Sequence, residues 1–200
     1  MTQSGNPQPP PRGKVIVISG PSGAGKTSIC NELLRRIPNS VWSVSVTTRP
    51  PRGNETDGRD YRFISQAEFE RMLAADELLE HARYIGHNYG TPRKPVEQAL
   101  NRGEVVVMEI DVQGGAQVAR KIPDAITVLV LPPTMETLKA RLAGRQTESE
   151  ALLAKRLAEA DGEIAFARNS GAYRHFIVND ILNDSVQEVL DILAKETQSV

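Results

Sequence analysis

The sequence predicts an α/β fold in which helices cover both faces of a parallel β-sheet. Three segments, 14–19, 104–111 and 126–131, have continuous apolar centres rather than alternating ones, as expected for strands buried on both faces. Helical periodicity follows the first and the third of these segments, and an alternation of strands and helices is typical of a parallel sheet. A chain of 200 residues is long enough to bury such a core.

The N-terminal half opens with a polar, proline-rich stretch, 1–13, which we expect to be a disordered tail. After the first strand, apolar spacing predicts a helix at 26–36, which Pro38 ends. Ser65 and Glu68 have the spacing of a capping box and predict another helix start. The other segments are strand-like at 40–48 and 61–64, aromatic without a clear assignment at 78–89, and helical at 95–102.

In the C-terminal half, Thr134 is expected to cap a helix after the strand at 126–131. Thr147 and Glu150 form a further capping box, which predicts a long helix to about residue 168. A last core strand is expected at 176–178, followed by a helix from about 184.

Two segments interrupt the strand–helix alternation. Residues 45–91 are polar, aromatic and partly β, and residues 134–168 are helical and rich in arginine. We therefore expect two insertions in a core made of 14–44, 92–133 and 169–200.

Composition excludes several functional classes. A formal net charge of −1 argues against nucleic acid or a membrane surface as a general partner. No apolar run approaches the ~18 residues of a membrane span, and no signal-peptide core is expected at the N-terminus. Cys30 is the only cysteine, so no intrachain disulfide forms, which fits a cytoplasmic location. The sequence implies no protein partner and leaves homo-oligomerisation open.

A phosphate-binding loop is the most specific motif in the chain. The glycines allow successive N–H groups to face a polyphosphate, and the helix that follows directs its positive end at the same anion. Lys26 can reach the outer phosphates, and the Thr27 hydroxyl suits a Mg²⁺ ligand. The residues expected to bind ATP here are Gly20, Pro21, Ser22, Gly23, Ala24, Gly25, Lys26, Thr27 and Ser28.

The segment 47–63 is the second strong signal. Arg49 and Arg52 lie in a loop, where their guanidinium groups suit an incoming phosphate. On composition alone, a solvated charged loop explains these arginines equally well.

The same segment resembles the nucleoside-monophosphate signature of guanylate kinases. The family pattern places two hydroxyl residues, an arginine, a basic residue, an acid, a glycine and a Tyr-x-aromatic pair at fixed steps. This sequence meets the pattern at Thr47, Thr48, Arg49, Arg52, Glu55, Gly58, Tyr61 and Phe63. The likeness runs from about residue 14 to the last helix.

This resemblance implies a GMP site in the first insertion. It places the GMP phosphate against Arg49, Arg52, Tyr61 and Tyr89, and Glu55 lines the same site. Glu80 and Ser45 would read the guanine edge, with Thr91 and Asp111 assisting. A carboxylate can accept both guanine N–H groups but would face a bare acceptor in adenine. Taken alone, Glu80 would instead be read as a surface acid.

The resemblance also implies that the second insertion is a mobile lid that closes over ATP. Arg141, Arg145 and Arg156 would act on the phosphoryl group during transfer, although a solvated basic face is the alternative from spacing alone. Asn179 matches a position near the adenine. Glu109 and Asp111 end a core strand, and one of them is expected to steer Mg²⁺ through water beside Thr27.

The activity implied is transfer of the γ-phosphoryl group of MgATP to GMP, giving ADP and GDP. Another nucleoside monophosphate as acceptor is the alternative within enzymes. A GTP-hydrolysing switch is a second class, because Asp111-Val112-Gln113-Gly114 matches Asp-x-x-Gly, but no Asn-Lys-x-Asp motif accompanies it. A non-catalytic peptide-binding module is a third class, against which the intact phosphate loop argues.

Overall fold

The computed structural model describes residues 12–84, 86–143 and 150–198, and its strands and helices alternate along these ranges. The strands are β1 (Val15–Ser19), β2 (Ser40–Trp42), β3 (Val46–Thr47), β4 (Arg62–Phe63), β5 (Leu78–Tyr84), β6 (His87–Pro92), β7 (Val105–Glu109), β8 (Ile126–Leu131) and β9 (His175–Val178). The helices are α1 (Lys26–Arg36), α2 (Gln66–Ala74), α3 (Arg93–Asn101), α4 (Val112–Lys121), α5 (Met135–Ala143), α6 (Glu150–Asn169) and α7 (Leu182–Gln198).

The core is a five-stranded parallel sheet in the order β2-β7-β1-β8-β9. The central strand β1 is buried along its whole length, and Ile16 lies between Val107 of β7 and Ile126 of β8. Strands buried on both faces require the continuous apolar pattern seen in the sequence. The predicted α/β class with a helix-covered parallel sheet is therefore confirmed.

Alternate residues of β1 serve two separate hydrophobic layers. Ile16 and Ile18 pack with residues of α1 and α7, whereas Val15 and Val17 pack with residues of α3 and α4. This division follows from the two-residue period of a strand, which sends successive side chains to opposite faces. The buried Cys30 of α1 belongs to the first layer, and burial raises the pKa of its thiol.

A second, four-stranded sheet has the order β4-β3-β6-β5. It is mixed, because β3 pairs in parallel with β4 and antiparallel with β6, which forms a hairpin with β5. Helix α2 covers it through Phe69 and Met72, which pack with Val46 and Leu78. Ser65 caps this helix by accepting a hydrogen bond from Glu68 N, as the capping box predicted.

Two parts of the secondary structure differ from the sequence prediction. The single strand expected at 40–48 is two strands in different sheets, because the chain leaves the core sheet after Trp42 and enters the second sheet at Val46. Helix α4 was not predicted at all. Its Gly114 and Gly115 lower helix propensity by about 1 kcal/mol each, which hides the helical pattern.

The C-terminal helices complete the fold. Leu138 and Leu142 of α5 pack against Ala160 of α6. Thr147, which was expected to cap α6, lies outside the described residues. Within the described ranges, no helix combines the length and apolar character that crossing a membrane requires. At the other end, Gly13 donates its N–H to Leu100 O at 2.8 Å, which attaches the start of the described chain to α3.

Truncation of Leu33 tests the core assignment. Leu33 of α1 is fully buried, so Leu33→Ala should lower the free energy of unfolding by about 2–5 kcal/mol through lost burial and the cavity left behind. Urea unfolding measures the loss. Leu73→Ala, on the exposed side of α2, is the control and should cost under about 1 kcal/mol. Equal losses in the two variants would contradict this packing.

Candidate active site

A cavity of about 650 Å³ opens at the carboxyl ends of β1 and β7 and extends to the second sheet and α6. Ligands of open α/β sheets bind at this edge, because loops leave the sheet there on both sides. The predicted site residues that line the cavity are Gly20, Ser22, Lys26, Ser45, Arg49, Arg52, Tyr61, Glu80, Tyr89, Glu109, Asp111 and Arg156.

The phosphate loop joins β1 to α1 and lines the cavity through Gly20, Ser22 and Lys26. Lys26 Nζ donates to the carbonyl oxygens of Gly20 and Pro21 at 2.7 and 3.1 Å, which holds the ammonium over the loop. Gly25 caps α1 with a φ of 95°, and a Cβ there would lie 2.1 Å from Asn179 Nδ2. Only glycine fits this position. The remaining loop residues are the exposed Ser22, Thr27 and Ser28, the half-buried Gly23, and the buried Pro21 and Ala24.

The two candidate acids for Mg²⁺ differ in their surroundings. Glu109 Oε1 accepts a hydrogen bond from Thr27 Oγ1 at 3.0 Å, so a hydroxyl and a carboxylate meet beside the loop. Asp111 Oδ1 instead accepts from the backbone N–H groups of Gln113 and Gly114 and caps α4. No cluster of three His, Cys, Asp or Glu side chains suited to a metal occurs among the described residues.

Arg49 is the centre of the arginine-rich loop. It is 5% exposed and forms a two-pronged ion pair with Glu55, whose oxygens lie 2.7 and 2.9 Å from Nη1 and Nη2. Its Nε donates to the Tyr89 hydroxyl at 3.2 Å, and its guanidinium lies over the Tyr61 ring. The pair lowers the pKa of Glu55 to about 2, chiefly through the hydrogen bond from Arg49. The same acid accepts the backbone N–H of Arg52, so one carboxylate fixes the loop.

Glu80 lies on β5 of the second sheet and is only 3% exposed. Thr91 Oγ1 donates to Glu80 Oε1 at 2.6 Å. The Ser45 hydroxyl lies 3.4 Å from Thr91 Oγ1, and it donates to that oxygen because the Thr91 proton faces Glu80. Burial raises the pKa of Glu80 to about 7, against the opposing effect of the Thr91 hydrogen bond. The structure therefore excludes the reading of Glu80 as a surface acid.

Gly114 leaves space for the carboxylate of Glu80, and the sequence did not predict it as a site residue. A Cβ on Gly114 would lie 2.7 Å from Glu80 Oε2, so a larger residue at this position of α4 would displace the carboxylate. The sequence reading assigned Gly114 to an Asp-x-x-Gly match. The informative signal was the adjacent pair of glycines, which cost helix stability and therefore indicate a close approach.

The predicted lid contributes residues from two helices. Arg156 and Glu163 of α6 are two helical turns apart and both line the cavity. Burial raises the pKa of Glu163 to about 7, and the seven-residue spacing from Arg156 was the signal that could have found it. Arg141 of α5 donates from Nη2 to Asn179 O at 3.0 Å. Arg145 lies outside the described residues.

The raised pKa of Glu80 predicts a pH-dependent stability. When folding raises the pKa of a carboxyl group, the free energy of unfolding falls as pH increases, until the pH exceeds the pKa in the folded state, which is about 7 for Glu80. Between pH 5 and 8 the unfolding free energy of the wild type should fall on the order of 2 kcal/mol relative to Glu80→Gln. Urea unfolding across this range measures the difference, and Glu163 titrates in both proteins. Parallel curves would contradict the buried carboxylate.

Comparison with known proteins agrees with this geometry. A model of the guanylate kinase family matches residues 12–196. The curated guanylate kinases of Gloeobacter violaceus and Thermobifida fusca are each 47% identical to this chain, over 193 and 190 residues. These matches cover 96% and 95% of this chain and 93% and 92% of the relatives. The crystal structure of guanylate kinase from Anaplasma phagocytophilum has a TM-score of 0.73 at 33% identity, covering 93% of this chain and 87% of that one. This chain belongs to the guanylate kinase family.

Proposed function

We propose that this chain transfers the γ-phosphoryl group of ATP to GMP, giving ADP and GDP. Family membership supports the reaction, which is an ATP-dependent phosphorylation of GMP. The observation that carries the proposal is one cavity that is lined both by the phosphate loop and by the buried carboxylate of Glu80. Basic side chains line the same cavity, in which two phosphate tails would meet.

The second sheet, with residues 45–91, is proposed to hold GMP. Glu80 accepts the two adjacent N–H groups of guanine, while Thr91 and Ser45 keep the carboxylate in place. A site built for these donors rejects a base that lacks them, because its buried acceptor is then unpaired. Asp111, beside Gly114, completes this end of the cavity.

The GMP phosphate is proposed to lie against four other residues that line the cavity, Arg49, Arg52, Tyr61 and Tyr89. Glu55 holds Arg49 and the Arg52 backbone in position, so it acts on the phosphate through them. The contacts of Arg49 with Glu55, Tyr89 and Pro50 O use four of its five N–H groups. Its charge therefore reaches the phosphate from a fixed guanidinium.

The phosphate loop is proposed to hold ATP. Lys26 exchanges its contacts with loop carbonyls for the outer phosphates. The Thr27 hydroxyl and Glu109 suit Mg²⁺, which takes few protein oxygens and keeps phosphate and water ligands. The ion, when bound, neutralises charge on the phosphates. Glu109 is the better of the two acids for this role, because an oxygen of Asp111 is committed to capping α4.

In the transfer step, an oxygen of the GMP phosphate bonds to the γ-phosphorus while the bond from that phosphorus to the bridging oxygen of ADP breaks. No strong base is required, because the attacking phosphate oxygen is already anionic. Positive charge around the transferring group comes from the side chains for which the sequence predicted this role, namely Lys26, Arg49, Arg141, Arg145 and Arg156. Residues 134–168 act as the lid, and closure excludes water. We place the reaction in the cytoplasm, without nucleic acid or a membrane as partner.

Substitution of Lys26 tests the phosphate loop. Lys26→Ala should lower kcat by about 10²-fold or more, because one cation that contacts the reacting phosphates is lost. GMP affinity, measured by calorimetry, should change less than about twofold. Lys94→Ala, an exposed lysine on α3, is the control and should behave as wild type in a coupled assay of ADP release. A normal rate for Lys26→Ala would refute the assignment.

Two substitutions test base reading by Glu80. Glu80→Gln should lower kcat/KM for GMP by about 10²-fold and narrow the preference for GMP over AMP, because the amide presents an N–H to guanine. Gly114→Ala should lower kcat/KM for GMP about tenfold by displacing the carboxylate, with little change in KM for ATP. Gly162→Ala is the matched helical control, since a Cβ there meets nothing within 4 Å. An unchanged GMP-to-AMP ratio in Glu80→Gln would remove Glu80 from this role.

A further inference from the structure

Asn179 follows the edge strand β9 and has both ends of its side-chain amide engaged. The residue is 6% exposed, and its Nδ2 donates to Ala24 O in the phosphate loop at 2.8 Å. The Ser185 hydroxyl lies 3.1 Å from Asn179 Oδ1 and within 3.3 Å of two backbone carbonyls of the same region. Ala24 and Ser185 are themselves buried, so the amide is held in one orientation.

The bond to Ala24 fixes a peptide plane in the phosphate loop. Ala24 C=O and Gly25 N–H belong to one planar trans peptide and point in opposite directions. A donor that holds the carbonyl on the Asn179 side therefore turns the Gly25 N–H to the other side, toward a bound anion. Close packing reinforces this, because a Cβ on Gly25 would lie 2.1 Å from Asn179 Nδ2.

The same residue also holds a lid arginine. Arg141 Nη2 donates to the main-chain oxygen of Asn179 at 3.0 Å. The main chain of Asn179 is in turn fixed to the core sheet, since its N–H donates to Leu131 O at 2.8 Å. One residue thus contacts the phosphate loop through its side chain and the lid through its backbone.

We propose that Asn179 is a positioning residue that aligns the phosphate loop and couples it to Arg141. This inference rests on the proposed function, because it assigns the loop to the phosphates of ATP. It requires no contact between Asn179 and the nucleotide base.

The first test compares Asn179→Ala and Asn179→Asp with wild type by calorimetry with ADP and, separately, with GMP. Each variant removes the N–H that faces Ala24 O, and the alanine variant does so without adding charge. ADP affinity should fall about 10-fold or more in both, while GMP affinity stays within about twofold. Ser185→Ala leaves the donor but frees the amide, and should weaken ADP binding about threefold.

Ser40→Ala is the matched control. Its hydroxyl also lies near two backbone carbonyls, of Ile37 at 2.9 Å and Leu34 at 3.4 Å, but away from the cavity. It should leave both affinities unchanged. A purely structural role would lower the thermal midpoint of the Asn179 variants while their ADP affinity remained that of wild type, and this result would overturn the proposal. Failure of the proposed function would appear differently, as a wild-type protein that produces no ADP from ATP and GMP.

A double-mutant cycle tests the coupling to Arg141. If Asn179 holds the loop and the arginine together, Asn179→Ala and Arg141→Ala should be non-additive in kcat/KM for ATP. The double variant should lose at least threefold less than the product of the single losses. Additive losses would overturn the coupling.

Discussion

The organisation of the site depends on the burial of one carboxylate, that of Glu80. Withdrawing a carboxylate from water is costly, so the charge of Glu80 needs support from its surroundings, and this support comes from the hydroxyl and the backbone of Thr91 and from the positive charge of Lys121. Gly114 leaves space for the charge, and the Gln117 side chain bonds to both the N–H and the carbonyl of His81, fixing α4 beside β5. The second sheet and the core are thus joined where the base would bind. The charge that weakens the fold above neutral pH is the one proposed to select guanine.

A second theme is that three cations of the candidate site already contact acceptors from the protein. Lys26 donates to loop carbonyls, Arg49 pairs with Glu55, and Arg141 donates to Asn179 O. These contacts hold long side chains in place before substrate arrives and so reduce the entropy lost on binding. They also limit repulsion between like charges around one cavity. In the proposed reaction, phosphate oxygens would replace some of these acceptors rather than order free side chains.

Much of the fold and of the site could be predicted from local patterns in the sequence. Buried parallel strands, helices with one apolar face and capping boxes have signatures set by neighbours in the chain, and β1, α1 and α2 were predicted on that basis. Two features depend on contacts with residues distant in sequence. One is the division of 40–48 between two sheets, and the other is helix α4, which contains Gly114 and Gly115. For the same reason, sequence alone left Glu80 as a surface acid, since its burial arises from α4. The orientation of Asn179 toward Ala24 likewise needs the packed structure.

The burial of Cys30 has a practical consequence for studying motion in this protein. The thiol is enclosed in the core, and its raised pKa leaves it protonated, so it should not react with maleimide or iodoacetamide reagents. Because the chain has no other cysteine, a thiol introduced at an exposed position becomes the sole point of covalent attachment. Tyr84, at the tip of the β5–β6 hairpin, is 56% exposed and offers such a position. A spin label or fluorophore could be placed there without first removing a native cysteine.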